Sequence, residues 1–166
     1  LKVGNFSGVT VSKEQVFFDY KNFHIEIVDL PGAYSLNDYT IEEKVTKDFL
    51  NNEKYDIILN VLDSTNLQRN LLLTAELLTL DKKMIIALNM SDEAEKESIL
   101  IDEIQLSKIL GKPCIKTSAA KKNGITKLLD EILLKFQSQK VPSKFFFSNV
   151  IEEEIENISR VLEENK

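Results

Sequence analysis

The sequence predicts an α/β fold in which a mostly parallel sheet carries helices on both faces. Apolar segments at residues 56–62, 84–88 and 113–116 alternate with amphipathic segments at residues 67–80 and 124–136. This order is typical of parallel strands joined by crossover helices, and strands that are apolar throughout indicate a sheet buried on both sides. At 166 residues the chain is long enough for one such domain and too short for two large ones.

Two strands of a different kind precede this alternating part. Residues 15–20 and 23–28 are separated only by Lys21 and Asn22, and a two-residue connection predicts an antiparallel hairpin. His24 falls on the polar side of the second strand, where alternate side chains point away from the core. We interpret it as an ordinary strand residue.

Helices are predicted after the hairpin and near the end of the chain. One begins after Thr40, which is placed to cap it, and another is expected to end near Gly111. The polar segment containing Pro142 lacks periodicity and predicts a linker, and an acidic amphipathic helix follows at residues 150–162. The resulting domain prediction is a main domain over 1–137, a linker over 138–147 and the first helix of a second, helical domain over 148–166.

Composition excludes several functional classes. The net charge of −6 and the scattered basic residues argue against a nucleic-acid surface. No stretch approaches the roughly 18 apolar residues of a membrane span, and the first residues do not have the pattern of a secretion signal. Cys114 is the only cysteine, which excludes an internal disulfide, and it is interpreted as a buried strand residue.

Three short motifs follow predicted strands, in the order Asp29-Leu30-Pro31-Gly32, Asn89-Met90-Ser91-Asp92 and Thr117-Ser118-Ala119. Loops after parallel strands share one edge of the sheet, where ligands of such folds bind. Asp29 can hold Mg²⁺ through water, and Gly32 can bring its backbone N–H close to a terminal phosphate. Taken alone, Asp-x-x-Gly is a weak signal because many strands end in such turns.

The second and third motifs suit a guanine base. Asp92 can accept hydrogen bonds from the ring N–H and the amino group of guanine, whereas adenine lacks this pair of donors. Asn89 would tie neighbouring loops together, and the backbone N–H groups of Ser118 and Ala119 would face the base carbonyl. The competing interpretation of Asn89 and Asp92 is a helix cap, which both residue types favour. Together the three motifs predict a GTP pocket.

These residues resemble the GTPase domain of the FeoB family of bacterial ferrous iron transporters. The resemblance runs from Leu1 to about Phe136 and rests on four segments, residues 3–11, 29–36, 66–71 and 87–92. It implies a P-loop-NTPase-like (Ras-like) fold followed by the start of a helical spacer domain. It also implies a domain on the cytoplasmic side of the bacterial inner membrane that binds and slowly hydrolyses GTP, attached to a membrane domain that moves Fe²⁺.

The same resemblance assigns further residues. Thr10 would bind Mg²⁺ and the terminal phosphate, with Gly8 and Val9 beside the nucleotide as part of a first switch; the competing interpretation of Thr10 is a residue that starts a strand. Met90 is assigned to nucleotide binding with its neighbours Asn89 and Asp92. Ala33 stands where many small GTPases place a water-orienting glutamine, so hydrolysis is expected to be slow unless backbone groups or K⁺ assist. Oligomers would form through the parent protein.

The phosphate-binding pattern GxxxxGK[ST] does not occur in the sequence. The family places a central strand and this loop before residue 1, between the strand ending at Val28 and the one beginning at Asp56. Three explanations remain open: upstream residues exist, a partner or swapped segment supplies the strand, or the chain is a fragment with altered pairing. In the last case, most nucleotide affinity would be lost. We therefore expect residues 25–28 not to pair directly with residues 57–61.

Two other functions remain compatible with the sequence. One is a non-catalytic GTPase-like interaction module that docks a partner through residues 29–37 and the closing helix. The other is a ribosome-associated small GTPase, although those proteins usually carry lysine where this chain has Met90, and its acidic balance does not suit RNA. Nucleotide titration and RNA pull-down separate these functions from the first.

Overall fold

The computed structural model describes residues 2–6 and 11–139. Its elements, in chain order, are β1 Lys2–Asn5, β2 Ser12–Tyr20, β3 Phe23–Asp29, α1 Ile41–Asn52, β4 Ile58–Asp63, a 3₁₀ turn Ser64–Asn66, α2 Leu67–Leu78, β5 Met84–Asn89, α3 Ser91–Lys96, α4 Glu103–Leu110, β6 Cys114–Lys116 and α5 Ile125–Gln137. The predicted α/β class is confirmed.

The described strands form two three-stranded sheets. One has the antiparallel order β1-β2-β3, and the other has the parallel order β4-β5-β6. The predicted hairpin is present, with Lys21 at φ 53° in its two-residue turn. The sequence analysis missed β1, which pairs with the first half of β2 so that Gly4 lies opposite Lys13.

The two sheets are not hydrogen-bonded to each other. β3 and β4 each lie at an edge of their own sheet, so residues 25–28 do not pair with residues 57–61, as the sequence predicts. The parallel register instead brings Asp63 of β4 opposite Asn89 of β5. The carboxyl ends of β4 and β5 therefore meet at one edge, where the loops that follow them lie side by side.

The core lies on both faces of β5, whose residues 84–88 are all buried. Met84, Ile86 and Leu88 pack on one face together with side chains of α1, α2 and α4. Ile85 and Ala87 pack on the other face against Ile115 and Leu128 of β6 and α5. This is the doubly covered strand that an uninterrupted apolar run predicts. Cys114 is buried in β6, as expected.

Local chemistry sets the helix boundaries. Thr40 caps α1 by accepting a hydrogen bond from the backbone N–H of Glu43. The helix expected to end near Gly111 is present as α4, which Gly111 terminates at φ 62°. It is separated from α3 because Asp102 begins a new helix, its carboxylate accepting hydrogen bonds from the N–H groups of Ile104 and Gln105.

Several predictions fall on residues that the structure does not describe. These are the roles of Gly8, Val9 and Thr10 and the closing helix at residues 150–162. α5 ends at Gln137, but the proposed domain boundary beyond it stays a prediction. Within residues 2–6 and 11–139, none of the helices has both the length and the apolar character needed to cross a membrane.

Candidate functional site

The turn after β5 places Asp92 at the edge of the parallel sheet. Met90 adopts the left-handed conformation at φ 57° and precedes α3, whose first turn contains Ser91 and Asp92. A positive φ is uncommon for a residue with a side chain and is frequent at functional sites. Met90 is exposed beside this turn.

Hydrogen bonds join the loop after β5 to the loop after β6. The N–H and hydroxyl of Ser91 both donate to the carbonyl oxygen of Thr117, at 3.1 and 2.9 Å. The Asn89 side-chain oxygen accepts a hydrogen bond from the N–H of Ala119 at 3.0 Å. Asn89 thus ties the two loops together, and the second and third motifs form one unit.

Asp92 carries a fixed negative charge within this unit. Its carboxylate oxygen Oδ2 lies 2.8 Å from Nζ of Lys121, and the Asp92 side chain is 17% exposed. The hydrogen bond from Lys121, with a second one from Ser118, lowers the Asp92 pKa to about 2. The carboxylate is therefore ionised at neutral pH and can accept two hydrogen bonds from neighbouring donors of one planar ligand.

The N–H groups of Ser118 and Ala119 are not free in the structure. Ser118 donates to the carbonyl oxygen of Asn123 at 3.0 Å, and Ala119 donates to Asn89. The expectation that these N–H groups face a base carbonyl stays a prediction, and a carbonyl bound there would compete with these acceptors. The bond of Ser118 belongs to the closed turn of residues 118–123, in which Ser118 and Asn123 form an antiparallel bridge.

Gly124 fixes this turn, and the sequence analysis overlooked it. It has φ +73°, and a Cβ atom there would lie 2.2 Å from the carbonyl oxygen of Lys116. Only glycine permits both the left-handed conformation and this close approach. Its position directly before an apolar helical segment was the available signal.

The first motif lies on the loop that leaves β3. Asp29 is exposed at the end of this strand, where it pairs with Glu14 of β2. The carbonyl oxygen of Pro31 accepts a hydrogen bond from the Thr46 hydroxyl of α1 at 3.1 Å. Gly32 is exposed, and a Cβ atom there would meet nothing within 4 Å. Any need for glycine at this position therefore comes from a ligand and not from the fold.

Two buried or half-buried carboxylates hold the segment that follows this motif, residues 33–39. Glu76 of α2 accepts a hydrogen bond from the N–H of Leu36 at 2.5 Å. Glu43 of α1 is buried and accepts hydrogen bonds from the Ser35 hydroxyl at 3.1 Å and the Tyr39 N–H at 3.2 Å. Sequence reasoning assigned neither role, because both contacts depend on how the segment packs against the helices. These contacts hold residues 33–39 against two helices.

A chain of contacts connects the three motif loops. The guanidinium of Arg69, in the first turn of α2, lies 4.1 Å from the ring centroid of Tyr34, which follows the first motif. The 3₁₀ turn before α2 packs against α3, which carries Asp92. The segment after β3 is therefore linked through the start of α2 to the turns after β4 and β5.

The described residues supply only part of the oxygen ligands that Mg²⁺ needs. Asp29 offers an exposed carboxylate, which is the oxygen ligand that Mg²⁺ prefers. Within the described residues, no group of three or more acidic, histidine or cysteine side chains is close enough to hold a metal. Asp29 alone could therefore supply at most one protein ligand to Mg²⁺, with other oxygen atoms completing its coordination.

Comparison with known proteins identifies the family. The family model described as ferrous iron transport protein B matches residues 1–132. The Fe(2+) transporter FeoB of Campylobacter jejuni is 49% identical over 152 residues, and that of Helicobacter pylori is 54% identical over 156 residues. These matches cover 92% and 88% of this chain. The chain spans about a quarter of the length of these relatives, 25% and 24%.

Solved structures of similar proteins support the same family. The cytosolic domain of the T. maritima FeoB iron transporter in a GDP form has a TM-score of 0.89 at 35% identity, over 99% of this chain and 66% of that one. The G domain of the same transporter has a TM-score of 0.76 at 39% identity, over 82% of this chain and 83% of that one. The chain therefore belongs to the ferrous iron transport protein B family and has the α/β fold of its G domain.

Proposed function

We propose that this chain is a switch domain that binds GTP, hydrolyses it slowly to GDP and thereby regulates Fe²⁺ uptake through a membrane domain of the parent protein. The observation that carries the proposal is the unit formed by Asn89, Asp92 and Ala119, in which an ionised carboxylate is held beside a hydrogen-bonded turn. The family's G-domain fold belongs to the GTPases, and the relatives are Fe(2+) transporters.

Base recognition is assigned to the loops after β5 and β6. Each carboxylate oxygen of Asp92 accepts one hydrogen bond from guanine, one from the N1–H and one from the 2-amino group. Adenine lacks this pair of adjacent donors. The N–H of Ala119 or Ser118 binds the guanine carbonyl oxygen after exchanging its present acceptor. Asn89 keeps the two loops in register, and Met90 covers one side of the base.

Phosphate recognition is assigned to the first motif and the first switch. Gly32 donates its N–H to the terminal phosphate, and Asp29 and Thr10 hold Mg²⁺, with Gly8 and Val9 beside the nucleotide. Magnesium, when bound, neutralises part of the phosphate charge. The exposed edges of β3 and β4 are proposed to receive a strand whose following loop cradles the phosphates, because unpaired strand edges otherwise leave backbone groups unsatisfied.

Slow hydrolysis is proposed because of Ala33. Its methyl group cannot orient a water molecule, so the attacking water has to be positioned by backbone groups of the first switch or by a monovalent cation such as K⁺ near the phosphates. Comparing the single-turnover rate in KCl with that in NaCl tests the role of K⁺: a rate that is independent of the cation would leave the backbone groups as the positioning element.

The partner proposed for this switch is the membrane-embedded transport domain, which places the chain on the cytoplasmic side of the membrane. The solved relatives are cytosolic domains of iron transporters. The segment at residues 33–39, which Glu43 and Glu76 hold, is the proposed route by which nucleotide state changes the surface that other domains contact. No nucleic-acid partner is proposed, since the net charge is −6.

Nucleotide titration tests the proposal. The protein at its full natural length is titrated with fluorescently labelled GDP, a non-hydrolysable GTP analogue and the corresponding adenine nucleotides, with Mg²⁺ present. We expect saturable binding of both guanine nucleotides, none of the adenine nucleotides at the same concentrations, and slow release of phosphate from GTP. A folded protein that binds no guanine nucleotide would refute the switch and favour a non-catalytic interaction module.

A further inference from the structure

We infer that Lys121 is a specificity-determining residue that competes with the guanine base for the carboxylate of Asp92. The inference rests on the proposed function, since it takes Asp92 as the group that binds guanine. Lys121 therefore lowers the selectivity of this chain for guanine over purines that have fewer donors. Without Lys121, Asp92 would discriminate between these bases more strongly.

The geometry of the 118–123 turn sets the position of Lys121. The N–H of Lys122 donates to the carbonyl oxygen of Ala119 at 3.2 Å, and the bridge between Ser118 and Asn123 closes the turn. Lys121 therefore projects from a constrained backbone, and its Nζ lies 2.8 Å from Oδ2 of Asp92. Its side chain is 57% exposed, so the ammonium can leave the carboxylate for water without first unfolding the turn.

The ammonium takes an oxygen that guanine needs. Guanine presents two adjacent donors, the N1–H and the 2-amino group, and a carboxylate matches them with one oxygen each. Lys121 donates to Oδ2 of Asp92, which is one of these two oxygens. Guanine has to displace the ammonium or share this oxygen with it, and either arrangement weakens one of the two hydrogen bonds.

Hypoxanthine, the base of inosine nucleotides, makes the competition measurable. It has the same ring N–H and carbonyl as guanine but no 2-amino group, so it requires only one carboxylate oxygen. Lys121 can keep Oδ2 of Asp92 while such a base binds at the other oxygen. Removal of the ammonium is therefore expected to favour GDP and to leave inosine diphosphate (IDP) almost unaffected. The ratio of the two affinities isolates this effect from any change in net charge.

The expected effect is a few-fold change. Ion pairs with an exposed partner contribute little, because water competes for both charges. Breaking this pair during guanine binding accordingly costs at most about a factor of five in affinity. The carboxylate remains ionised without Lys121 at neutral pH, since an aspartate in water titrates near 4.

The test compares three variants of the protein at its full natural length with the wild type. Lys121→Gln removes the ammonium and keeps a side chain of similar length, whereas Lys121→Arg keeps the charge. Lys122→Asn is the matched control, because it removes one positive charge at the next position, where φ is +55° and asparagine is well tolerated. Within the described residues, Lys122 makes no ion pair, unlike Lys121.

Dissociation constants are measured for GDP and IDP. Lys121→Gln is expected to bind GDP about threefold more tightly, with the IDP affinity unchanged. The GDP-to-IDP ratio should therefore rise for Lys121→Gln and stay at the wild-type value for Lys121→Arg and Lys122→Asn. A ratio that is unchanged or lower in Lys121→Gln would overturn the inference alone. Absence of GDP and IDP binding by the wild type would instead refute the proposed function, and the inference with it.

Discussion

Individual residues determine what the site can recognise. Asp92 lies in the first turn of α3 because Met90 turns the chain through a positive φ, and Ser91 then bonds to the loop after β6. The carboxylate is oriented by bonds made within the chain, so it does not depend on a ligand for its position. Under the proposed function, substitution of these side chains should therefore change specificity more than stability.

Replacing Asp92 with asparagine should change the preferred base from guanine to xanthine. The amide offers one acceptor and one donor where the carboxylate offers two acceptors, so it cannot match the two donors of guanine. Xanthine carries a carbonyl at the position of the amino group, and the amide can donate to it. We expect Asp92→Asn to lose at least about tenfold in GDP affinity and to gain affinity for xanthosine diphosphate.

Competitive titration of the two nucleotides measures this exchange. Lys122→Asn serves as the control for general effects on the loop. Equal losses for both nucleotides would mean that Asp92 supports the loop and does not read the base.

The pH dependence of binding follows from the Asp92 carboxylate. Hydrogen bonds from Lys121 and Ser118 lower its pKa from 3.8 to about 2. A lowered pKa means that the ion pair stabilises the folded chain fully above about pH 4, and that this contribution is lost as the pH falls through about 2. We expect the contribution of Asp92 to GDP affinity to be constant from pH 5 to pH 8.

Titrations of wild-type protein and Asp92→Asn across this range provide the measurement, and the ratio of the two affinities removes the effects of other groups. A ratio that falls with a midpoint near pH 6 would contradict the lowered pKa of Asp92.

At the scale of elements, loops are placed by the helices and strands that bond to them. Gly124 starts α5 and fits beneath the carbonyl oxygen of Lys116 in β6. Glu43 and Glu76 reach from α1 and α2 to hold residues 33–39. The site is accordingly sensitive to substitutions that contact no ligand.

Substituting Gly124 by alanine should destabilise the protein and disturb the base-binding loop. The left-handed conformation costs an alanine about 1–2 kcal/mol, and a methyl group 2.2 Å from a backbone oxygen forces the turn to shift. We expect a loss of at least about 2 kcal/mol in the free energy of unfolding, measured by urea denaturation.

Gly32→Ala is the matched control for stability, since its Cβ would meet nothing within 4 Å and should cost no more than about 0.5 kcal/mol. Equal stability of the two variants would show that the turn before α5 can relax around a methyl group.

At the scale of the whole molecule, the arrangement of the sheets is the unusual feature. A G domain is expected to have one mostly parallel sheet, and here the described strands form one antiparallel and one parallel sheet whose edge strands β3 and β4 do not pair. Val61 of β4 is 54% exposed, although its neighbours Asn60 and Leu62 are buried. Both edges thus offer backbone and apolar groups that another strand would cover.

Hydrogen exchange should reveal whether such a strand pairs there. The informative amides are those of β3 that do not bond to β2 and those of β4 that do not bond to β5. We expect these outward-facing amides to be protected in the protein at its full natural length, because a strand inserted between the two edges would bond to both. The same amides should exchange rapidly in a peptide limited to residues 1–139. The amides of β5 provide the internal control, since this strand is paired on both sides in the structure. Rapid exchange of the outward-facing amides in both samples would refute an inserted strand.

The sequence by itself determined the fold class and most element positions, because strand and helix periodicities, caps and turn residues are local properties. The family followed from the resemblance of its motifs, and the same motifs, with their order along the chain, proposed Asp29, Asn89 and Asp92 as site residues. Only the tertiary structure decided that Lys121 contacts Asp92, that Asn89 occupies the N–H of Ala119, and that Glu43 and Glu76 hold the segment after the first motif. These contacts join residues separated along the chain by as many as 40 positions, and their geometry depends on how the elements pack.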